Sequence, residues 1–467
     1  MKKFLHFILA ALCLLLTLTA CQTAPDSDSI PEEPAVTEPE ETPEPEPDPA
    51  LSQRDRDWIE DIEYLRTEYK ARHLDPFYLV SEAEFDWKVD QLISKVGQLS
   101  DWDIYFEITA LIAGMGDLHT SVTPPASLYD RQFPIGAKYF GDNKLYLTVY
   151  MEGYDQFAPY LLHEIVSVNG IDITYLEQKA ASLFNPFNHW SVKEGFSNYF
   201  LPAFFDWAGC DYKEGYTIEF LNDNREVESI ELPVITSEDV VSGTRIRHEN
   251  WDALFSQKGK NWVEYYDGEN GGYIDMSLDR LPFSAPSSLK LLAMEVNKRR
   301  EAHPECGKLV VDLRLCPGGD AFDLVAFEEN IEMLRMEQVY VLTSGCSASA
   351  ATATMAFFKQ ELGGVLVGEP AGQFPYMFHL SSSSLEPAVL PHSQIIVYIS
   401  DHWFDPEYLE DIDWTPVVEA YYDEDGKLYP WESTILPDVY VYQDIEDIRQ
   451  GKDSVLEWVL AQSLNSL

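Results

Sequence analysis

Apolar residues recur at helical spacing from residue 51 to about residue 118. Ser81 followed by Glu84 predicts a capping box, and Phe85, Val89, Leu92, Ile93, Val96 and Leu99 follow along one face. Ser100 with Asp103 starts a further helix, whose apolar face is Ile104, Ile108, Leu111, Ile112 and Met115. The pattern breaks at Gly114 and Gly116, and Asp117-Leu118-His119-Thr120-Ser121-Val122 enters a loop or strand. Residues 131–261 are more strand-like, with aromatic residues and turn signals such as Gly141-Asp142-Asn143. After residue 262 strands and helices alternate. Strands are expected at Gly272–Leu278, Lys308–Leu315, Val339–Thr343 and Gly364–Gly368, with helices at Pro286–Arg300, Phe322–Arg335 and Ala350–Leu362. That alternation predicts an α/β layered core with parallel strands.

The two ends of the chain read differently. Lys2 and Lys3 precede an almost unbroken apolar run, Phe4 to Leu18, too short for a comfortable membrane span. The run ends in Leu18-Thr19-Ala20-Cys21, which resembles the lipobox of bacterial lipoproteins. That resemblance implies export, cleavage before Cys21 and a diacylglyceryl group on its sulfur, and two acyl chains anchor stably where one is marginal. Residues 22–50 hold ten acidic residues, eight prolines and no basic or aromatic residue, so they cannot fold and read as an extended tether. The expected organisation is a signal peptide at 1–20, a lipid-anchored tether at 21–50, a helical N-terminal domain at 51–130, a strand-rich domain at 131–261, the core at 262–445 and a C-terminal helix at 446–467. Within the strand-rich domain, Glu164-Ile165-Val166-Ser167-Val168-Asn169-Gly170 resembles the last strand and turn of a PDZ-like module.

Composition narrows the function. The chain is 45% hydrophobic and 13% aromatic, enough to bury a large core and incompatible with wholesale disorder. Residues 51–467 carry 70 acidic against 30 basic residues, a net charge of −40, so a basic nucleic-acid footprint is excluded. Cys210, Cys306, Cys316 and Cys346 are too scattered for a disulfide framework, and no CxxC pair suggests zinc. No metal or organic cofactor is implied.

Two loops after strands carry candidate chemistry. Asp312-Leu313-Arg314-Leu315-Cys316-Pro317-Gly318-Gly319-Asp320 places paired glycines where backbone N–H groups can turn outward, as an oxyanion hole requires. An ordinary strand-to-helix turn has the same composition. Ser344-Gly345-Cys346-Ser347-Ala348-Ser349-Ala350-Ala351 places small residues and serines at the start of a helix, where developing negative charge is stabilised. The usual task of a serine there is helix capping.

Together these segments resemble the tail-specific (C-terminal processing) serine peptidases, and the tricorn-like branch most. The resemblance rests on the order of DLRLCPGGD, then Ser347-Ala348-Ser349-Ala350-Ala351, Gly368-Glu369-Pro370, Leu390-Pro391-His392-Ser393 and Leu436-Pro437-Asp438-Val439. Upstream, Gly116-Asp117-Leu118-His119-Thr120 matches the element of the family that carries a histidine. The resemblance implies a crotonase-like layered core, Ser349 as nucleophile, His119 as general base, backbone N–H groups of Gly318, Gly319 and Ala350 as oxyanion donors, and polypeptide substrates. Glu432, five residues before Pro437, stands near a supporting glutamate of the tricorn-like branch. The chain departs from the processing-protease branch, whose lysine position is occupied by Phe374, with no lysine between Lys359 and Lys427. It also carries Leu118 where tricorn has a serine. The resulting expectation is a serine endopeptidase with a Ser–His pair, exported and lipid-anchored on the outer face of the bacterial cytoplasmic membrane or on a periplasmic face. Two rivals are a non-catalytic peptide- or ligand-binding lipoprotein on a degenerate peptidase scaffold, and a solute-binding receptor, which would leave the ordered motifs unexplained.

Overall fold

The structure is a computed structural model. It describes residues 51–117, 119–141, 143–184, 188–210, 215–251, 261–268, 272–279, 288–319, 336–373, 377–379, 386–404, 418–419 and 433–463. The signal peptide and tether expected at residues 1–50, the helix expected at Phe322–Arg335, Phe374 and Glu432 lie outside the described residues.

Local capping chemistry starts the N-terminal helices. Helix α1 (Gln53–Arg72) begins in a reciprocal box between Ser52 and Asp55, and α3 (Asp101–Ala113) in one between Ser100 and Asp103. Helix α2 (Glu82–Ile93) is capped by Ser81, whose hydroxyl accepts the Glu84 N–H at 3.3 Å. The returning half of that box is not made, because the Glu84 carboxylate pairs with Lys88 at 2.9 Å. The helix also stops at Ile93, and Val96 packs from a short 3₁₀ turn instead.

After α3 the chain passes through strand β1 (Ser121–Thr123) into an antiparallel sheet. The strands there are β2 (Ile135–Phe140), β3 (Lys144–Met151), β4 (Glu164–Val168), β5 (Tyr216–Leu221), β6 (Val227–Leu232) and β7 (Arg245–Arg247). The sheet order is β7-β3-β4-β5-β6, with β2 paired to β3. The two-residue turn after β4 has positive φ at both Asn169 (49°) and Gly170 (71°), the backbone that an Asn-Gly hairpin provides. Helix α4 (His189–Phe196) lies between β4 and β5 in the chain. One continuous apolar core joins these strands to α1, α2 and α3, with Phe106, Phe204 and Phe205 fully buried in it.

The last layer is a six-stranded sheet in the order β8 (Trp262–Tyr266), β9 (Tyr273–Ser277), β10 (Lys308–Asp312), β11 (Gln338–Thr343), β12 (Val365–Gly368) and β13 (Val439–Tyr440). β8 is antiparallel to β9, and the other neighbours are parallel. Helix α5 (Ser288–Ala302) links β9 to β10, and α6 (Ala350–Leu362) links β11 to β12. Alternate residues serve opposite faces. Leu309, Val311, Val341 and Leu366 pack with α6, whereas Val310, Tyr340, Leu342 and Val367 pack with α7 (Ser454–Leu460). A sheet covered on both faces explains why β10 is apolar throughout its centre. The C-terminal helix expected at 446–467 is two short helices, Ile445–Arg449 and α7, separated where Gly451 takes φ +73°. Among the described residues no helix is long and apolar enough to cross a membrane.

Candidate active site

Ser349 stands between β11 and α6 in a backbone conformation that non-glycine residues rarely adopt, φ +51° and ψ −127°. Such a conformation costs on the order of 1–3 kcal/mol and persists only where its surroundings enforce it. Three contacts do so. The Ser349 N–H donates to Oε1 of the buried Gln373 at 2.7 Å, its carbonyl accepts the Thr352 N–H at 2.9 Å, and Thr352 Oγ1 donates to the same carbonyl at 2.6 Å. Ser349 is the N-cap residue of α6, yet its hydroxyl makes no capping bond. The Oγ is directed elsewhere.

It meets a histidine 230 positions earlier in the chain. Nε2 of His119 lies 3.3 Å from Ser349 Oγ. The loop that delivers the imidazole is organised by Asp117, which is 2% exposed. One carboxylate oxygen accepts the His119 N–H at 2.9 Å, and the other accepts the Thr120 N–H and His73 Nε2, each at 3.0 Å. His73 Nδ1 accepts the Asp75 N–H at 3.1 Å, so its proton sits on Nε2 and points at Asp117. Burial pushes the Asp117 carboxyl up, but hydrogen bonds from His73, His119 and Thr120 hold it below the usual carboxylate range. Farther along, Thr120 Oγ1 accepts the Ser400 N–H at 3.0 Å, and β1 pairs with Ile396–Tyr398. The histidine loop is thus fixed on both sides.

The paired glycines lie against the serine. A Cβ on Gly318 would come within 2.6 Å of Ser349 Cβ, 2.8 Å of the Ala348 carbonyl oxygen and 3.1 Å of the Ala350 nitrogen. Gly318 (φ +112°) and Gly319 (φ +143°) both need glycine backbone. Ala350 is buried and is the first residue of α6, where N–H groups have no partner within the helix. Nucleophile candidate, helix N-terminus and glycine turn therefore share one small volume.

The neighbouring serines have other partners. Ser347 is fully buried, donates to the Leu313 carbonyl at 2.9 Å and accepts the Ser344 N–H at 3.1 Å. Ser344 donates to the Arg314 carbonyl at 2.7 Å and accepts the Cys346 N–H at 3.1 Å. Both tie the serine loop to the loop after β10. Arg314 itself is held by Asp312 at 2.6 Å and by Asp453, the N-cap of α7, at 2.7 Å. Lys359 lies ten residues beyond Ser349 on α6 and pairs with Asp438 at 2.5 Å. Cys210, Cys306, Cys316 and Cys346 form no disulfide. Glu432 falls outside the described residues, so its place relative to the pair is not part of this geometry.

Sequence reasoning missed three residues that shape the site. Asp117 sits inside the quoted Gly-Asp-Leu-His-Thr string and was legible there as a buried turn-former. His73 and Gln373 carry no local signal, being 44 residues before Asp117 and 24 after Ser349.

No protein-family model matches the chain, and no curated protein matches it in sequence. Solved structures do. The mature form of CPAF superposes with a TM-score of 0.55 at 10% identity, covering 87% of this chain and 96% of that one. The chain has the fold of CPAF. A second structure, mature CPAF complexed with lactacystin, gives a TM-score of 0.53 at 10% identity, with 87% and 97% coverage. At such identity the likeness concerns the fold, a mixed helix-and-sheet scaffold over nearly the whole of both chains.

Proposed function

We propose that the chain is a serine endopeptidase of the tail-specific type, closest to the tricorn-like branch, with a crotonase-like layered core. Ser349 Oγ attacks the scissile carbonyl while His119 Nε2 takes its proton and later returns it to the leaving amine. The N–H groups of Ala350 and of Gly318 or Gly319 receive the developing oxyanion. Asp117 acts on the backbone of the histidine loop and not on the imidazole, so it is a positioning residue. The substrate is a polypeptide, and Glu432 is the further catalytic residue that the resemblance implies. The lipobox places a lipid on Cys21 and the enzyme on the outer face of the bacterial cytoplasmic membrane, or on a periplasmic face, with residues 22–50 as its tether.

The observation that carries this reading is the 3.3 Å approach of His119 Nε2 to the Oγ of a serine that is strained, uncapped and backed by a glycine turn. The test is cleavage of a fluorescence-quenched peptide library by the purified full chain. Wild type is expected to cleave and Ser349→Ala to lose activity by several orders of magnitude, on the order of 10⁶ where such residues act as a unit. Lactacystin, found bound to CPAF, is expected to inhibit the wild type. A library left intact by the wild type would favour the non-catalytic binder.

A further inference from the structure

A second recessed site lies on the other face of the core sheet. A cavity of about 260 Å³ opens at the carboxyl ends of β9, β10, β11 and β12, the edge where open α/β sheets bind ligands. It is bounded by α7 and by β2, and neither Ser349 nor His119 lines it. Ser349 heads α6, which packs on the opposite face.

The lining has a definite chemistry. Arg314 is occupied by Asp312 and Asp453, and Lys138 by Glu194 at 2.7 Å. Those pairs leave Asp275, Asp279 and Glu369 as further carboxylates in the same wall. Asp275 is held by neutral donors, Trp262 Nε1–H at 3.2 Å and Ser277 Oγ–H at 3.3 Å. Glu369 lies beside the backbone N–H of Gly345. Trp262, Tyr266 and Tyr273 line the same cavity, the two tyrosine rings stacked with centroids 5.2 Å apart.

Aromatic faces beside buried carboxylates match one ligand class. We infer that this cavity binds a small organic cation, an alkylamine or guanidinium, with its charge at Asp275 and its stem against Trp262, Tyr266 and Tyr273. Carboxylates in excess of cations disfavour an anion. A neutral ligand would leave six lining carboxylates facing only Lys138 and Arg314, whereas a cation reduces that acidic excess and uses the ring faces. Burial and neighbouring acids push both carboxyls up to about 7, as expected where positive charge is short. The same chemistry fits a free amine or a lysine side chain of a peptide.

Isothermal titration calorimetry of the full chain at pH 8 tests this with n-pentylamine, its near-isostere 1-pentanol, and N-acetyl-lysine methylamide. We expect saturable one-to-one binding of pentylamine, at least tenfold tighter than pentanol. Binding should weaken at least tenfold in Asp275→Asn and in Trp262→Leu, and stay unchanged in Ser349→Ala. Glu369→Gln is the second carboxylate variant should Asp275→Asn fail to fold. N-acetyl-lysine methylamide binding as tightly as pentylamine assigns the cavity to peptide side chains, and weaker binding to free amines. Absence of saturable binding, equal affinity for pentanol, or full affinity in the carboxylate variants would overturn the inference. The Ser349→Ala arm keeps that failure separate from any failure of the peptidase reading.

Discussion

Gln373 Oε1 lies 2.7 Å from the backbone nitrogen of Ser349 and accepts its hydrogen. The serine's own N–H is therefore spoken for, so the proposed mechanism leaves the oxyanion to the next N–H in the chain and to the glycine turn. The same bond helps hold φ at +51°, the conformation that directs Oγ toward His119 instead of into the cap of α6.

Gln373→Met keeps the length of that side chain and removes its acceptor. A buried N–H left without a partner costs about 1–3 kcal/mol, and the strained turn is free to relax. We expect kcat to fall by about 10- to 100-fold with KM nearly unchanged, and Gln373→Glu, which retains the acceptor, to recover part of the loss. Steady-state kinetics on a peptide cleaved by the wild type checks this. Unchanged kcat in Gln373→Met would show the bond to be dispensable.

Gly318 is equally constrained. Its φ of +112° disfavours any side chain, and a methyl group there would collide with Ser349 Cβ and the Ala348 carbonyl. Gly318→Ala is expected to destroy most activity while the melting temperature falls by only a few degrees, as for a loss of about 1–2 kcal/mol. Circular dichroism melts beside the activity assay separate the two effects. Normal activity in this variant would remove the glycine turn from the oxyanion site.

Stability should depend on pH through Glu369. Burial and the charge of Glu194 raise its carboxyl to about 7 in the folded chain, from an ordinary value of 4.5. A raised acid binds its proton more tightly when folded, so its contribution is fully present below about pH 4.5 and is lost as pH rises through about 7. Between pH 5 and pH 8 this group is expected to remove stability on the order of 2 kcal/mol. Urea melts across that range should show a shallower decline for Glu369→Gln than for wild type. Parallel slopes would contradict the assignment.

Much of the core was readable from residue patterns. Helix α6 has the limits its apolar face indicated, because small residues precede it and Gly363, at φ +61°, ends it. The strand edges moved by only a few residues. The carboxyl end of β10 is one example, where Arg314 turns away from the ladder to meet Asp453. The C-terminal segment was harder, since a lone Gly451 between apolar stretches does not announce a break. The site was legible only as separate motifs. Ser349 and His119 are joined by folding across 230 positions, and no local pattern reports that distance. Gln373 and His73 were hidden for the same reason, each acting through one long-range hydrogen bond. Lys308, at the start of β10, is 1% exposed, its ammonium taken up by the carbonyls of Val459 and Gln462 at the end of α7.

The account rests on Ser349 acting with His119, and one measurement addresses both. The full chain is treated with a fluorophosphonate probe, digested, and the adduct located by mass spectrometry. We predict a phosphonyl group on Ser349 alone, no labelling in Ser349→Ala, and labelling slowed by about 10²- to 10⁴-fold in His119→Ala, the range a general base supplies. An adduct on Ser344, Cys346 or Ser347, or undiminished labelling of His119→Ala, would contradict it.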